Sequence, residues 1–173
     1  RTTAALLLVA ALLAFLLIGC GDKQKGSLTV VFPKLGAADC AVLMDAQSTV
    51  VIDTGEAGDG EAILDVLQEY DRDSIDLLVI SHYDKDHVGG AAALLEAVSV
   101  KRVIGSVYPK DSEEYAAYQT ALSSAGLTEE HPSQPETIAV SDALTLTVCP
   151  PEQTVYSEDE SNNASVAVSV QYG

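Results

Sequence analysis

Basic side chains are scarce in this chain. Its 173 residues carry 9 Lys and Arg against 26 Asp and Glu, a formal net charge of −17, and none of the nine lies beyond Lys110. Such a surface repels polyphosphates unless bound metal ions reverse the local sign. That counts against nucleic acid as a partner and suits a solvated, secreted protein. Cysteine is scarce too, with Cys20, Cys40 and Cys149 only. The last two are 109 positions apart, which matches no metal-finger spacing. Both fall in strand-like stretches and read as reduced core cysteines. Gly-x-Ser-x-Gly and a phosphate-binding glycine loop are absent, so nothing signals a serine hydrolase or a P-loop enzyme. There are no repeats and no low-complexity region, and the length suits one domain.

The N-terminus reads as a processing signal. Arg1 is followed by an uninterrupted apolar run from Ala4 to Ile18, then Gly19 and Cys20. That run suits a secretory signal and falls short of the roughly 18 or more residues of a spanning helix. Leu17-Ile18-Gly19-Cys20 resembles a bacterial lipobox. Residues 1–20 are therefore expected to be a lipoprotein signal peptide ending at Cys20, whose thiol takes the lipid. Residues 21–26 form a tether, and 27–173 the folded domain. The alternative is an uncleaved anchor with an incidental cysteine. Both place the domain outside the cytoplasm, held to the membrane, and a monomer is expected.

Past the tether, short strands and helices alternate. Residues 27–33 read as a strand and 39–55 as a hairpin around the turn-forming "DAQS". Residues 59–70 place Ile63, Leu64, Leu67 and Tyr70 on one helical face. The apolar run at 75–81 predicts a strand buried on both faces, with Val79 and Ile80 inside. Helix at 91–98, strand at 100–106, and an acidic helix at 111–125 with Tyr115, Tyr118 and Leu122 inward follow. Strands at 143–151 and 164–173 close the chain. The pattern predicts an α/β (α+β) layered domain.

Between the buried strand and the next helix stands "SHYDKDHVGG", residues 81–90. His82, Asp84, Asp86 and His87 are four good ligands for divalent cations, projecting from a backbone that the strand fixes. A cation would also offset the repulsion of the two aspartates. Elsewhere, His131 reads as a surface-loop histidine, and the acidic run 157–161 as a solvated loop that lacks EF-hand spacing.

The loop resembles the signature of the metallo-β-lactamase superfamily, His-x-His-x-Asp-His after a buried strand, with Asp84 at the second histidine position. That variant is similar to the metallo-hydrolase domain of ComEC-type competence proteins. "VVIDTG" (50–55), "LGAADCAVLM" (35–44) and "NNASVAVSVQYG" (162–173) extend the likeness to about residues 28–173. The resemblance implies an αββα sandwich with two divalent ions, zinc first and manganese as the alternative that Asp84 favours by hardening one position. It implies His82 and Asp84 on one ion and Asp86 and His87 on the other. Asp86 is expected to matter most for catalysis. Asp53, Ser81 and Gly89 would orient the loop without touching a metal. It implies an exported hydrolase whose two-metal-activated water attacks a phosphodiester or related ester, with nucleic acid as one candidate substrate. The alternative is a non-catalytic surface lipoprotein that keeps the fold for binding. The family's third metal histidine is missing where this chain reads "SNNAS", and Asn162 or Asn163 would be weak substitutes. A bridging aspartate and a last histidine would lie beyond Gly173, so the sandwich is expected to be incomplete at the C-terminus and these 173 residues alone are expected to be inactive.

Overall fold

A computed structural model describes residues 26–153 and 160–173. The expected signal peptide, Cys20 and the tether as far as Lys25 lie outside the described residues, as do Ser157, Glu158 and Asp159 of the acidic run. Eleven strands and five helices are described, in the order β1 (Thr29–Val31), β2 (Ala41–Met44), β3 (Thr49–Ile52), α1 (Gly60–Glu69), β4 (Ser74–Ile75), β5 (Leu77–Ile80), α2 (Lys85–Val88) and α3 (Ala91–Ala97). Then come β6 (Ser99–Val100), β7 (Val103–Gly105), α4 (Glu113–Ala125), β8 (Glu129–Glu130), β9 (Glu136–Ala139), β10 (Leu144–Cys149), α5 (Glu160–Asn163) and β11 (Ala167–Tyr172).

The first sheet runs β1-β2-β3-β5-β7-β8, antiparallel from β1 to β3 and parallel from β3 to β8. The second, β11-β10-β9, is antiparallel throughout. The continuous apolar run of β5 has its physical reason here, because its side chains divide between two cores. Leu78 and Ile80 pack toward the helices with Ile63, Leu67 and Leu94. Leu77 and Val79 pack toward the second sheet with Leu144, Leu146 and Val148. Each such side chain contributes roughly 1.5–3 kcal/mol by leaving water. Helices, sheet and sheet make three layers of the expected sandwich, and the mixed α/β class holds.

Several local expectations are corrected. The strand read at 75–81 breaks at Asp76, and the one read at 100–106 breaks at Lys101 and Arg102. The two breaks answer each other: Asp76 Oδ1 accepts Lys101 Nζ at 2.6 Å, and Oδ2 accepts the backbone N–H of Thr49 at 2.8 Å. The short ends before the breaks, β4 and β6, pair as a separate ribbon. Tyr70 does not join the buried face of α1, because that helix ends at Glu69 and the chain turns away at Tyr70. Cys149 is only half-buried: alternate β10 residues face away from the second core, and Cys149 is among them. Cys40 is buried and reduced, with its thiol pKa pushed up to about 12, chiefly by burial.

Candidate metal centre

Three adjacent parallel strands deliver their carboxyl ends to one edge of the first sheet. Beyond β3 comes Asp53, beyond β5 come Ser81 to His87, and beyond β7 come Ser106 to Lys110. Ligand sites of open α/β sheets gather at such edges, because loops leaving neighbouring strands converge there. The backbone of Asp53 continues the pairing, its N–H donating to Val79 O at 2.8 Å. It then turns into the left-handed region, φ 57°, which aspartate tolerates better than most residues. That turn aims the Asp53 carboxylate at the loop.

Asp53 Oδ1 accepts the N–H of Ser81 at 2.7 Å, while Oδ2 accepts Ser81 Oγ at 2.7 Å and meets His87 Nδ1 at 2.9 Å. A carboxylate can only accept, so His87 donates from Nδ1, and in the neutral ring its Nε2 lone pair is free. The Ser81 hydroxyl spends its proton on Asp53, so at 3.0 Å it accepts from His82 Nδ1. His82 is thereby fixed in the same tautomer. Its Nε2 is buried and has no hydrogen-bond partner among the described residues, an unmet acceptor that a cation would satisfy.

Each free Nε2 lies near a carboxylate oxygen. His82 Nε2 is 3.7 Å from Asp84 Oδ2, and His87 Nε2 is 3.8 Å from Asp86 Oδ2. Two donors bound to one ion at about 2.0–2.2 Å in tetrahedral arrangement sit roughly 3.5 Å apart. Both pairs are spaced to share an ion. The imidazole rings stand 3.9 Å apart between centroids. Among the described residues no three His, Cys, Asp or Glu side chains converge on one point. The donor set therefore fits divalent ions as two open half-shells, with water or another ligand completing each.

Three further neighbours were not singled out from the sequence. Asp39 Oδ2 is 3.7 Å from His87 Nε2, and its backbone N–H donates to Asp86 O. Its only signal is a small-residue turn before β2. Lys110 Nζ and Ser161 Oγ both donate to Asp84 Oδ1, at 2.5 and 2.6 Å. Ser161 reaches the loop because Ser106 Oγ donates to Ala164 O and Val166 N–H to Ser81 O. Tyr83, the variable position of the motif, is buried and donates to Ser106 O at 2.7 Å, which pins the loop to β7.

Burial, then the neighbouring His87, lowers the pKa of His82 below its ordinary value, which keeps it neutral and able to bind. Burial pulls His87 the same way, but the hydrogen bond and charge of Asp53, with Asp86 and Asp39, raise it on balance. Burial would raise Asp84, but Lys110 and Ser161 outweigh it and hold the carboxyl low. Gly89 and Gly90 permit the close approach of the 54–60 segment: a Cβ on Gly89 would lie 2.6 Å from Ala57 N, and one on Gly90 2.3 Å from Thr54 O. His131 stays exposed, with Nδ1 near Gly105 O, and the residues that close on the two half-shells do not include it.

A layered α/β sandwich with paired histidines and aspartates at the ends of parallel strands suits a protein that binds divalent metal ions. The family model of the metallo-beta-lactamase superfamily matches residues 34–154. The chain belongs to that superfamily, whose members are mostly metal-dependent hydrolases and typically bind two metal ions, zinc or iron. Among solved structures it is similar to a metallo-beta-lactamase of Cronobacter sakazakii with a HARLDQ motif, at 16% identity and TM-score 0.54, covering 77% of this chain and 51% of that one. A chemotaxis sensor called ODP, in a peroxy diiron state, matches at 12% identity and TM-score 0.56, covering 83% and 58%. Rubredoxin oxygen:oxidoreductase from the anaerobe Desulfovibrio gigas matches at 19% and 0.53, covering 85% and 37%. At these identities the likeness is one of fold. The chain spans about half the length of the first solved structures it matches. No curated protein matches it.

Proposed function

We propose that this chain carries the ion-binding loop of an exported, metal-dependent hydrolase acting on a phosphodiester or related ester. One observation carries the reading: the Nδ1 atoms of the two imidazoles are engaged by Ser81 and Asp53, and each Nε2 lies within 4 Å of a loop carboxylate. Asp53 and Ser81 set the tautomers, Tyr83 fixes the loop, and Asp84 and Asp86 supply the negative charge that draws divalent ions in. A bound divalent ion would supply activation of water and neutralisation of charge on the ester. Zinc suits the imidazoles, and manganese suits the carboxylates. The ComEC-type likeness of the loop supports a phosphodiester. The surroundings favour a small one over a polymer, since the adjoining cleft, about 510 Å³, is lined by Asp84, Asp111 and Glu160 against a single Lys110.

The test is metal content after dialysis, with hydrolysis of a chromogenic phosphodiester, on the wild type and on Asp86→Ala. Asp86→Ala should lose an ion from the His87 side, and with it any turnover the wild type shows. Full metal content and full rate in that variant would remove the assignment. Binding to DNA at low salt with magnesium, falling steeply as salt rises, would extend the substrate class to nucleic acid. Export with lipidation of Cys20 is part of the same proposal, tested by mass spectrometry of membrane fractions for a diacylglyceryl group on that residue. A second reading, a surface protein that binds ions or ligands without turnover, draws support from Lys110 occupying one oxygen of Asp84. Stoichiometric ion binding with no hydrolysis of any ester would favour it.

A further inference from the structure

The two half-shells are not equivalent, and the difference lies in one lysine. Lys110 is the last basic residue of a strongly acidic chain. Its Nζ lies 2.5 Å from Asp84 Oδ1, and the same oxygen accepts Ser161 Oγ at 2.6 Å. Asp84 therefore has one oxygen left, Oδ2, which faces the buried Nε2 of His82, itself without a hydrogen-bond partner among the described residues. On the other side, the ion-pair neighbour of Asp86 among the described residues is His87 alone, and the nearby Lys85 turns to Glu56 at 3.7 Å. Asp86 thus meets an incoming ion with its full charge, and Asp84 meets it already paired.

We infer that Lys110 makes the His82–Asp84 position the weaker of the two, so that divalent ions fill the His87–Asp86 position first. The inference rests on the reading of the loop as an ion centre. Its physics is direct. An ammonium in contact with Asp84 offsets the charge that would hold a cation, and it repels any ion seated at Oδ2 a few ångströms away. Both charges are partly withdrawn from water, with side-chain exposures of 38% for Lys110 and 26% for Asp84, so the repulsion is screened less than at an open surface. Occupation of Oδ1 also restricts Asp84 to one-oxygen binding. The Ser161 hydroxyl matters for the prediction, because it keeps Asp84 in place when the ammonium is removed. Loss of Lys110 should then strip away repulsion without releasing the ligand.

The sign of the expected effect is opposite to that of structural damage. The test uses the whole chain, stripped of metal with a chelator and titrated with Mn²⁺ against a chromogenic competitor, with bound ions counted by equilibrium dialysis. The wild type should bind one ion tightly and a second about tenfold or more weaker. Lys110→Met should tighten the second by about tenfold or more and leave the first unchanged. Lys110→Arg, which keeps the charge, should follow the wild type, and Asp84→Asn should abolish only the second. Lys110→Gln serves if the methionine variant folds poorly by thermal melting. Two equally tight ions in the wild type, or no tightening in either neutral variant, would overturn the inference and leave the ion-centre reading standing. No ion bound by any of the chains would remove that reading and the inference with it.

Discussion

Asp53 Oδ2 meets His87 Nδ1 at 2.9 Å, and the same carboxylate takes both the N–H and the hydroxyl of Ser81. One side chain thus sets the tautomer of His87 directly and that of His82 through Ser81. Asparagine would keep the shape and the left-handed backbone but would turn an N–H₂ toward two groups that must donate. His87 would then have to accept at Nδ1 and carry its proton on Nε2, where a cation is expected. Asp53→Asn should lower Mn²⁺ or Zn²⁺ affinity by about 10–100-fold. It should lower stability by only about 1–3 kcal/mol. Ion titration and urea unfolding on the same samples separate the two effects. Unchanged ion affinity would mean that Asp53 does not govern the imidazoles.

The glycine pair after the motif carries a purely steric prediction. A Cβ on Gly90 would lie 2.3 Å from Thr54 O and 3.0 Å from Gly60 N, both backbone atoms that cannot rotate aside. Gly90→Ala should cost about 1–3 kcal/mol or more through overpacking. Gly58 has open space around the same added atom, so Gly58→Ala is the control and should leave the melting temperature almost unchanged. Equal melting of the two variants would show that helix α3 is not held against the 54–60 segment.

The histidine–aspartate loop and its strand were legible in the sequence because both signals are local. Four candidate ligands, two histidines and two aspartates, within six positions need no tertiary knowledge, and a run buried on both faces shows as unbroken hydrophobicity. The break at Asp76 was not legible, since it depends on Lys101, twenty-five positions away. The same holds for Lys110 and Ser161, whose link to Asp84 spans 26 and 77 positions. The short β8 escaped because Glu129 and Glu130 give no strand signal, and β9 was not read although Thr137 and Ile138 favour a strand. Glu130 and Glu136 are held there by Arg102, which pairs with both. Long-range pairing decides such elements, not propensity.

The interface between the two sheets can be tested without any ligand. Leu146 is fully buried in the core that joins β10 to β5, while Val170 on β11 is 40% exposed. Leu146→Ala should cost about 2–5 kcal/mol, by lost burial and a residual cavity. Val170→Ala, at a site with far less to lose, should stay within about 0.5 kcal/mol or little beyond it. Urea denaturation of both variants gives the comparison. Equal costs would mean that the second sheet does not pack as described.

Glu129 gives the chain a pH dependence that owes nothing to bound ions. It leaves the end of the first sheet into a pocket of aromatic side chains. Tyr118 donates to its Oε1 at 2.6 Å and Gln119 approaches Oε2 at 3.4 Å, both from α4. Tyr83 of the metal loop and Tyr115 of α4 lie close by, and His131 stands 3.9 Å away on the exposed side. Burial raises the carboxyl pKa above its ordinary 4.5, and the hydrogen bonds and the imidazole only partly oppose it. A carboxyl with a raised folded pKa holds its proton longer in the native state than in the unfolded chain. Its contribution to stability is therefore full below 4.5 and is lost as pH rises through the folded value. Glutamine keeps an acceptor for Tyr118 and has no charge to bury. Glu129→Gln should match or exceed the wild type in stability near neutral pH, and its stability should fall less steeply on going up from pH 4.5. Urea unfolding across that range, on both chains at fixed ionic strength, measures the two slopes. Parallel slopes would show that Glu129 is charged in the folded protein throughout, and that the aromatic pocket does not resist its ionisation.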